Sequence, residues 1–300
     1  MIIQILILII LGTLTAFVAG NNISVSVGAI VGSRVVSKYF GLVLGISGLI
    51  AGLVLEGGFL SDSLSKVMPQ TNTFILVVLV ISTIMFMIAS IVRVPLSLIM
   101  AIMGTAIGVA LRNGYHFDSY YVTLVILAWI LAPPLSILGS YFLNKRIGET
   151  GTVNVWRSAR LYKVSLIVLS GITSFSLGAN TFGLLSSINR SNVYTVPVMV
   201  IAIILGGLLL SRGVMKRLGQ DVYAMRYRSA LVSLLVSSIL VEAATFVSVP
   251  LSGTQTMASS IFGTGLSYKT KVIEGRSFLI IVLMWIISPL LGMLLGFIVS

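Results

Sequence analysis

Small polar residues interrupt long apolar stretches at four points of the chain, and these are the residues most able to bind a ligand. Two interruptions contain asparagine and two follow a proline. The candidate substrate-binding residues among them are Asn21, Asn22, Ser97, Asn180, Thr181, Ser252, Gly253 and Thr254. Hydroxyl and amide groups, together with the free N–H groups of a helix terminus, suit a tetrahedral oxyanion. Their oxygens could equally bind a cation.

A structural role competes with ligand binding for each of these residues. Small polar side chains also pack transmembrane helices and form hydrogen bonds between them. For a single serine or threonine this packing role is the more frequent one. At Asn180-Thr181 and Ser252-Gly253-Thr254-Gln255, recurrence at matching interruptions favours ligand binding.

Glu242 lies alone inside an apolar run and is a candidate proton or cation site. A carboxylate at the centre of a bilayer costs at least ~2.5 kcal/mol on insertion scales, so such a residue needs a reason to be there. A protonated carboxyl packed on a polar neighbour is the alternative. The candidate coupling-ion residues are Asn22, Thr181, Glu242 and Gln255.

Several kinds of chemistry are excluded by residue type. The chain has no cysteine and a single histidine, His116, which falls in a predicted loop. Thiolate metal ligands and thiol catalysis are therefore absent, and no nucleophile–base pair or metal cluster can be assembled. We expect neither an enzyme nor a resident metal or cofactor.

Composition places the chain in a membrane. It is 57% hydrophobic and 9% charged, whereas soluble domains are about one quarter charged. Its apolar runs approach the ~20 residues that cross a bilayer as a helix, and backbone groups in lipid must be satisfied within the segment. We predict an all-α polytopic protein of about 10–12 transmembrane segments. The predicted apolar runs are 2–19, 23–37, 40–58, 73–92, 95–111, 119–143, 161–177, 180–188, 193–211, 228–249, 250–266 and 277–299.

The chain repeats itself. Trp129 to Pro133 recurs as Trp285 to Pro289, an offset of 156 (285 − 129), and Pro95 recurs as Pro250, an offset of 155. We predict a first transmembrane repeat at 1–143, a basic cytoplasmic linker at 144–163 and a second repeat at 164–300. The asparagine interruptions are predicted to break a helix in each repeat. Matching broken helices are typical of secondary transporters, whose binding site lies between the repeats.

The formal net charge of +12 is explained by membrane orientation, so no nucleic-acid partner is expected. Basic residues accumulate in cytoplasmic loops. One arrangement of the spans puts 16 of the 19 lysines and arginines inside and leaves Lys66, Arg112 and Arg190 outside. It predicts a multi-pass protein of the cell membrane with both termini outside and the two repeats inverted.

At these interruptions the chain resembles the PiT-type inorganic phosphate transporters, cation-coupled carriers built from two inverted repeats. The segment from Ala19 to Ser33 resembles the family pattern GANDVAN-SFGTAVGS, and Gly178 to Leu184 resembles its second copy. Pro250 to Gln255 is similar to the pattern P-V-S-T-T-H/Q. Fainter or shorter likenesses are Pro95 to Met100, Ser61 to Lys66 and Gly213 to Gly219. The resemblance implies alternating-access transport of phosphate with sodium or a proton.

The departures from the family pattern concern the coupling ion. Asn22 and Thr181 replace the two motif aspartates, and Leu98 and Ile99 replace both threonines of the first repeat. Hard cations prefer charged oxygens, so a bound sodium ion is implied only by the resemblance. Sulfate or another oxyanion is the alternative substrate, and a non-transporting receptor or scaffold is the alternative function. Monomer and homodimer stay open.

Overall fold

The structure is a computed structural model. It describes residues 2–92, 96–149, 155–211, 227–268 and 275–300. Within these ranges the regular elements are helices. They are α1 Ile2–Gly32, α2 Lys38–Leu55, a 3-10 helix Gly57–Leu60, α3 Asn72–Val92, α4 Leu98–Arg112, α5 Ser119–Glu149, α6 Val155–Leu177, a π-helical turn Gly178–Phe182, α7 Gly183–Ser187, α8 Thr195–Leu209, α9 Tyr227–Phe246, α10 Gly253–Leu266 and α11 Gly275–Val299.

The predicted class is confirmed. Seven helical stretches of the described residues are long and apolar enough to cross a membrane, and α4 and α8 are shorter apolar helices. α5 reaches Glu149 and α6 begins at Val155, so helix enters the predicted linker 144–163 from both sides. The predicted family-like segment Gly213 to Gly219 and Pro95 lie outside the described residues, as do several of the basic loop residues.

The predicted helix breaks at the asparagines are wrong. α1 runs unbroken through Asn21 and Asn22. The helix continues because asparagine and glycine cost at most about 1 kcal/mol each in a helix, and neither removes a backbone donor as proline does. At Asn180 the backbone forms a π-helical turn that widens the hydrogen-bond pattern and leads directly into α7.

The helices are broken in the segments that hold Pro95 and Pro250, whereas Pro133 and Pro134 lie inside α5 and Pro289 inside α11. α3 ends at Val92 and α4 begins at Leu98, while α9 ends at Phe246 and α10 begins at Gly253. Proline lacks the N–H and disfavours helix in the residue before it. Ser97 and Ser252 have extended backbone and cap the new helices, since their hydroxyls accept from the N–H groups of Met100 and Gln255. We name residues 247–252 the second break.

The two repeats pack by exchange of equivalent helices. α4 packs on α11 and α10 packs on α5, while α1 packs on α8 and α6 packs on α2. Each of these contacts is therefore matched by a second contact, which the equivalent helices make with the two repeats interchanged. In the α4–α11 contact, a Cβ on Gly104 or Gly108 would collide with the carbonyl groups of Pro289 or Met293. Close approach of this kind is what small residues permit in membranes.

Both chain termini lie at one end of the bundle. The side chain of Gln4 donates to Asn72 at 2.6 Å and accepts from Asn192 at 3.0 Å. Near the other terminus, Arg112 lies 5.6 Å from the Phe297 ring centroid. We name this end of the bundle the terminal end. The opposite end, which carries Asn144 and Arg228, is named the linker end. The start of α1 thus lies beside the segment that follows α7.

Candidate functional site

Asn180 holds the second break in place. Its Nδ2 donates to Thr245 Oγ1 at 2.9 Å and to the carbonyl of Val249 at 3.1 Å, and its Oδ1 accepts from the N–H of Leu251 at 2.9 Å. Asn180 is fully buried. Both of its amide hydrogens are engaged, so in this arrangement it positions the break, and its direct contact with substrate stays a prediction.

The first repeat supports the same break from the other side. The Tyr121 hydroxyl donates to the carbonyl of Ser248 at 3.1 Å, and Trp129 Nε1 donates to the carbonyl of Pro250 at 2.9 Å. In return, Gln255 Nε2 donates to the carbonyl of Trp129 at 3.0 Å. Carbonyl groups freed by the break are thereby satisfied, which backbone within a membrane requires.

The N-terminus of α10 is the best candidate for an anion site in the described structure. The first N–H groups of a helix have no acceptor within it and carry the positive end of its dipole. Beside them, the hydroxyls of Ser252 and Thr254 lie 3.0 Å apart and are joined by a hydrogen bond. Gly253 has no room for a side chain, because a Cβ there would collide with Leu177. Backbone donors and two hydroxyls thus converge on one small region.

The N-terminus of α4 is the poorer counterpart. Its cap residue Ser97 is buried, and the backbone N–H of Ser97 reaches Ser288 Oγ at 3.4 Å. The next two residues, Leu98 and Ile99, offer no side-chain donors. The two helix N-termini are therefore unequal, as the lost threonines predicted, and the side-chain donors are concentrated in the second repeat.

A cavity of about 410 Å³ lies between α5 and α11, and Met100 of α4 and Gln255 of α10 complete its lining. Equivalent residues of the two repeats line it in pairs, including Met100 with Gln255 and Trp129 with Trp285. Its walls are almost entirely apolar. An anion would lose its hydration there without gaining donors, so this cavity does not fit phosphate.

The remaining predicted site residues lie in α1 and in the π-helical turn. Asn21 is partly exposed and Asn22 is buried in α1 with its Nδ2 unpartnered among the described residues. Gly20, beside them, packs on Leu210. Thr181 is buried in the π-helical turn. The described hydrogen bonds do not join the two asparagine segments, and a pocket shared by them stays a prediction.

Glu242 has a partner that the sequence did not reveal. The carboxyl of Glu56, at the end of α2, lies beside the carboxyl of Glu242. Each residue has an Oε2 atom that is buried and unpartnered in the described structure. Two adjacent carboxylates repel, which favours a pair that shares one proton. Glu56 went unnoticed because it follows a long apolar run, 186 residues (242 − 56) before Glu242.

Tyr121 and Trp129 were also missed as site residues. Trp129 was recognised only as a landmark of the repeat, and nothing in the spacing indicated its hydrogen bond to Pro250. The signal that could have found it is its position: an indole N–H inside a membrane needs an acceptor, and a proline-linked carbonyl is a ready one.

Two exchanged sets of helices, with an anion-favouring helix terminus at a supported break, define a membrane carrier of the secondary-transporter class. Comparison with known proteins gives the particular family. The sequence model of the phosphate transporter family matches residues 145–296, about half of the chain. This chain belongs to that family.

Individual relatives match nearly the whole chain. A Methanocaldococcus jannaschii protein named "Putative phosphate permease MJ0630" is 23% identical over 286 residues, covering 95% of this chain and 93% of that protein. The Bacillus subtilis sulfate permease CysP is 22% identical over 296 residues, covering 93% and 82%. A solved structure titled "The sodium-dependent phosphate transporter" has a TM-score of 0.83 at 17% identity, covering 100% of this chain and 99% of that one.

Proposed function

We propose that this protein carries inorganic phosphate across the cell membrane by alternating access of its two repeats, with both termini outside. The single observation that carries the proposal is the N-terminus of α10. Ser252, Gly253 and Thr254 present backbone and hydroxyl donors there, at a break that Asn180 and Trp129 hold rigid. Ser97 offers the weaker complement from α4. The carrier moves the anion chemically unchanged, so no enzymatic role is proposed.

Membership of the phosphate transporter family supports phosphate as the substrate. The chemistry of the site supports the same class of ligand. The described donors at α10 are neutral, so the positive end of the helix dipole supplies the attraction for an anion. Rigid donors limit the entropy that binding must overcome.

We propose a proton as the coupling ion, taken up by the Glu56–Glu242 pair. Two adjacent carboxyl groups favour a shared proton, which is released when the groups separate. The pair joins the end of α2 to α9, and α9 leads into the second break. Movement of α9 relative to α2 would therefore change proton binding and the anion site together. Sodium, which the family resemblance implies, would have to bind without the two motif aspartates that Asn22 and Thr181 replace.

Uptake of labelled phosphate into proteoliposomes tests the proposed function. Ser252→Ala removes a hydroxyl at the anion site and is expected to lower uptake at subsaturating phosphate about tenfold or more, as the loss of a charge-assisted hydrogen bond does. Ser47→Ala is the matched control, because Ser47 is exposed on α2 and its hydroxyl only returns to the carbonyl of Leu44. Absence of saturable uptake, or equal uptake by both variants, would remove the proposal.

Sulfate is the second candidate substrate, favoured by the likeness to a sulfate permease over 93% of the chain. Both anions are tetrahedral and fit the same donors. Excess sulfate in the uptake assay separates them. If phosphate is the substrate, sulfate leaves phosphate uptake unchanged. If sulfate abolishes it and is itself accumulated faster, the substrate assignment changes while the anion site stands.

A further inference from the structure

A polar seam runs between α9 and α10. Ser237 Oγ and Thr256 Oγ1 are 2.7 Å apart, and Ser229 Oγ and the Tyr268 hydroxyl are 2.8 Å apart, so each pair is joined by a hydrogen bond. Ser229 and Ser237 lie on one face of α9, two turns apart. Thr256 lies one turn beyond Ser252, on the same face of α10. The seam therefore starts at the anion site and leads to the linker end.

The middle of the seam holds hydroxyls without partners. Ser233 lies one turn from both Ser229 and Ser237, and Ser260 lies one turn beyond Thr256. In two antiparallel helices, residues that face each other keep a constant sum of residue numbers. That sum is 493 both for Ser237 with Thr256 and for Ser233 with Ser260. The second pair therefore lies next to the first. Both hydroxyls are buried, 1% and 0% exposed, and unpartnered in the described structure. A buried hydroxyl without a partner costs free energy, which water or an anion would recover.

The first repeat provides an internal comparison. Subtracting the repeat offset of 155 gives the equivalent positions in α3, α4 and the segment that follows. They are Phe74, Val78, Ser82, Ala101, Thr105 and Asn113. Three of these are apolar, and the hydroxyl of Thr105 is satisfied within its own helix by the carbonyl of Ala101 at 2.8 Å. Valine fills the position of Ser233 and is equally buried. A helix pair of this kind therefore does not need the polar seam in order to pack.

A cation lies where the seam reaches the linker end. Arg228 donates to Asn144 Oδ1 at 3.2 Å, and its guanidinium lies 5.4 Å from the centroid of the Tyr268 ring. Burial raises the pKa of the Tyr268 phenol, but its hydrogen bonds with Ser229 and Asn144 and the charge of Arg228 outweigh this, so that the pKa lies below its ordinary value. The field at this end of the seam favours negative charge.

We propose that the seam between α9 and α10 is the route by which phosphate passes between the N-terminus of α10 and Arg228, closed here by its two hydrogen-bonded pairs. The proposal rests on the proposed function and adds the route to the site. Opening requires α9 to separate from α10. The hydroxyls of Ser233 and Ser260 then face water and supply donors to the moving anion, and Arg228 attracts it at the linker end.

The natural absence of cysteine makes this route directly testable. Ser233→Cys places one thiol in the seam, and Val78→Cys places one at the equivalent position of the first repeat. Both variants, in proteoliposomes, are treated with a negatively charged, membrane-impermeant thiosulfonate. Because only a hydrated thiol ionises and reacts, Ser233→Cys is expected to react about tenfold faster than Val78→Cys or more. Inorganic phosphate is expected to slow the reaction of Ser233→Cys.

Two results would overturn the proposal. If Ser233→Cys reacts as slowly as Val78→Cys, the seam is a dry packing surface. If it reacts quickly but at a rate that phosphate does not change, the seam admits water and not the anion. Neither measurement needs transport to occur, so failure of phosphate uptake by the unsubstituted chain would count separately, against the proposed function.

Discussion

One carboxamide satisfies three groups around the second break, and this makes Asn180 the residue on which the site geometry depends. Asn180→Leu leaves Leu251 N–H and the Val249 carbonyl without their buried partner. Each such group costs about 1–3 kcal/mol. We expect a clearly lower thermal unfolding midpoint in detergent and a loss of phosphate uptake. Ser47→Leu is the control, because Ser47 is exposed on α2. Equal losses for both variants would mean that Asn180 has no special role.

The carboxyl pair makes a separate prediction. Glu242→Gln keeps the size of the side chain but cannot release a proton. If the pair couples proton movement to transport, uptake by the unsubstituted protein rises when the outside is made more acidic than the inside, and the variant loses that dependence. Glu56→Gln should behave in the same way because the two carboxyl groups lie side by side and would share the proton. Uptake by both variants that follows the pH gradient unchanged would exclude the pair as the coupling site.

Sequence reasoning at this scale could predict which residues matter better than what they contact. Asn180, Ser252 and Glu242 stand out because polar groups are rare in apolar runs. Their partners lie far away in sequence: Asn180 bonds to a segment 65 to 71 residues later. No local pattern specifies such a contact. The sequence therefore predicted Asn180 as a ligand-binding residue without indicating that protein groups engage both of its amide hydrogens.

Among the elements, the contact between α4 and α11 depends on glycine. Gly108→Ala would place a methyl group against the carbonyl of Met293, and overpacking of this kind costs about 1–3 kcal/mol. We expect the unfolding midpoint in detergent to fall. Gly139→Ala in α5 is the control, because its Cβ would meet only the Val236 side chain at 3.5 Å. Alanine is the better helix former, so the control should be neutral or stabilising. A midpoint for Gly108→Ala as high as the control's would contradict the packing.

The length of the apolar runs predicted well where helices exist. The asparagine and glycine residues predicted poorly where helices are interrupted. Proline has a definite physical effect on the backbone, and both breaks lie beside a predicted proline position. Asparagine and glycine only weaken a helix, and tertiary packing decides the outcome. Gly20 packs on Leu210 and Ser26 bonds to Ser174 at 2.7 Å, which holds α1 straight through the predicted break. These contacts involve residues from the other repeat, and periodicity carries no information about them.

For the whole molecule, membrane orientation is the property that charge predicts. The structure puts both termini at one end, near Asn72 and Asn192, and puts Asn144 with Arg228 at the other. From the charge distribution we propose that the basic linker lies in the cytoplasm. In intact cells, Ser300→Cys should react with an impermeant thiol reagent, whereas Lys145→Cys should react only after permeabilisation. The reverse pattern would mean that the linker end faces the outside and both termini face the cytoplasm.

The architecture could be predicted at this scale because the repeat is visible in the sequence. Near-constant offsets between prolines and tryptophans identify equivalent helices without any structure. How those helices exchange partners between the repeats could not be predicted, because several pairings bury similar apolar area. The close contacts at glycines such as Gly104 and Gly108 are seen only in the packed molecule.

The central claim is that the N-terminus of α10 binds the transported anion. Its most direct test is electron cryo-microscopy of the protein in lipid nanodiscs with tungstate, a heavy tetrahedral oxyanion, followed by displacement with phosphate. The account predicts density touching the Ser252 and Thr254 hydroxyls and the backbone of Gly253, lost when phosphate is added in excess. Phosphate-displaceable density at another place, with this helix terminus empty, would contradict it.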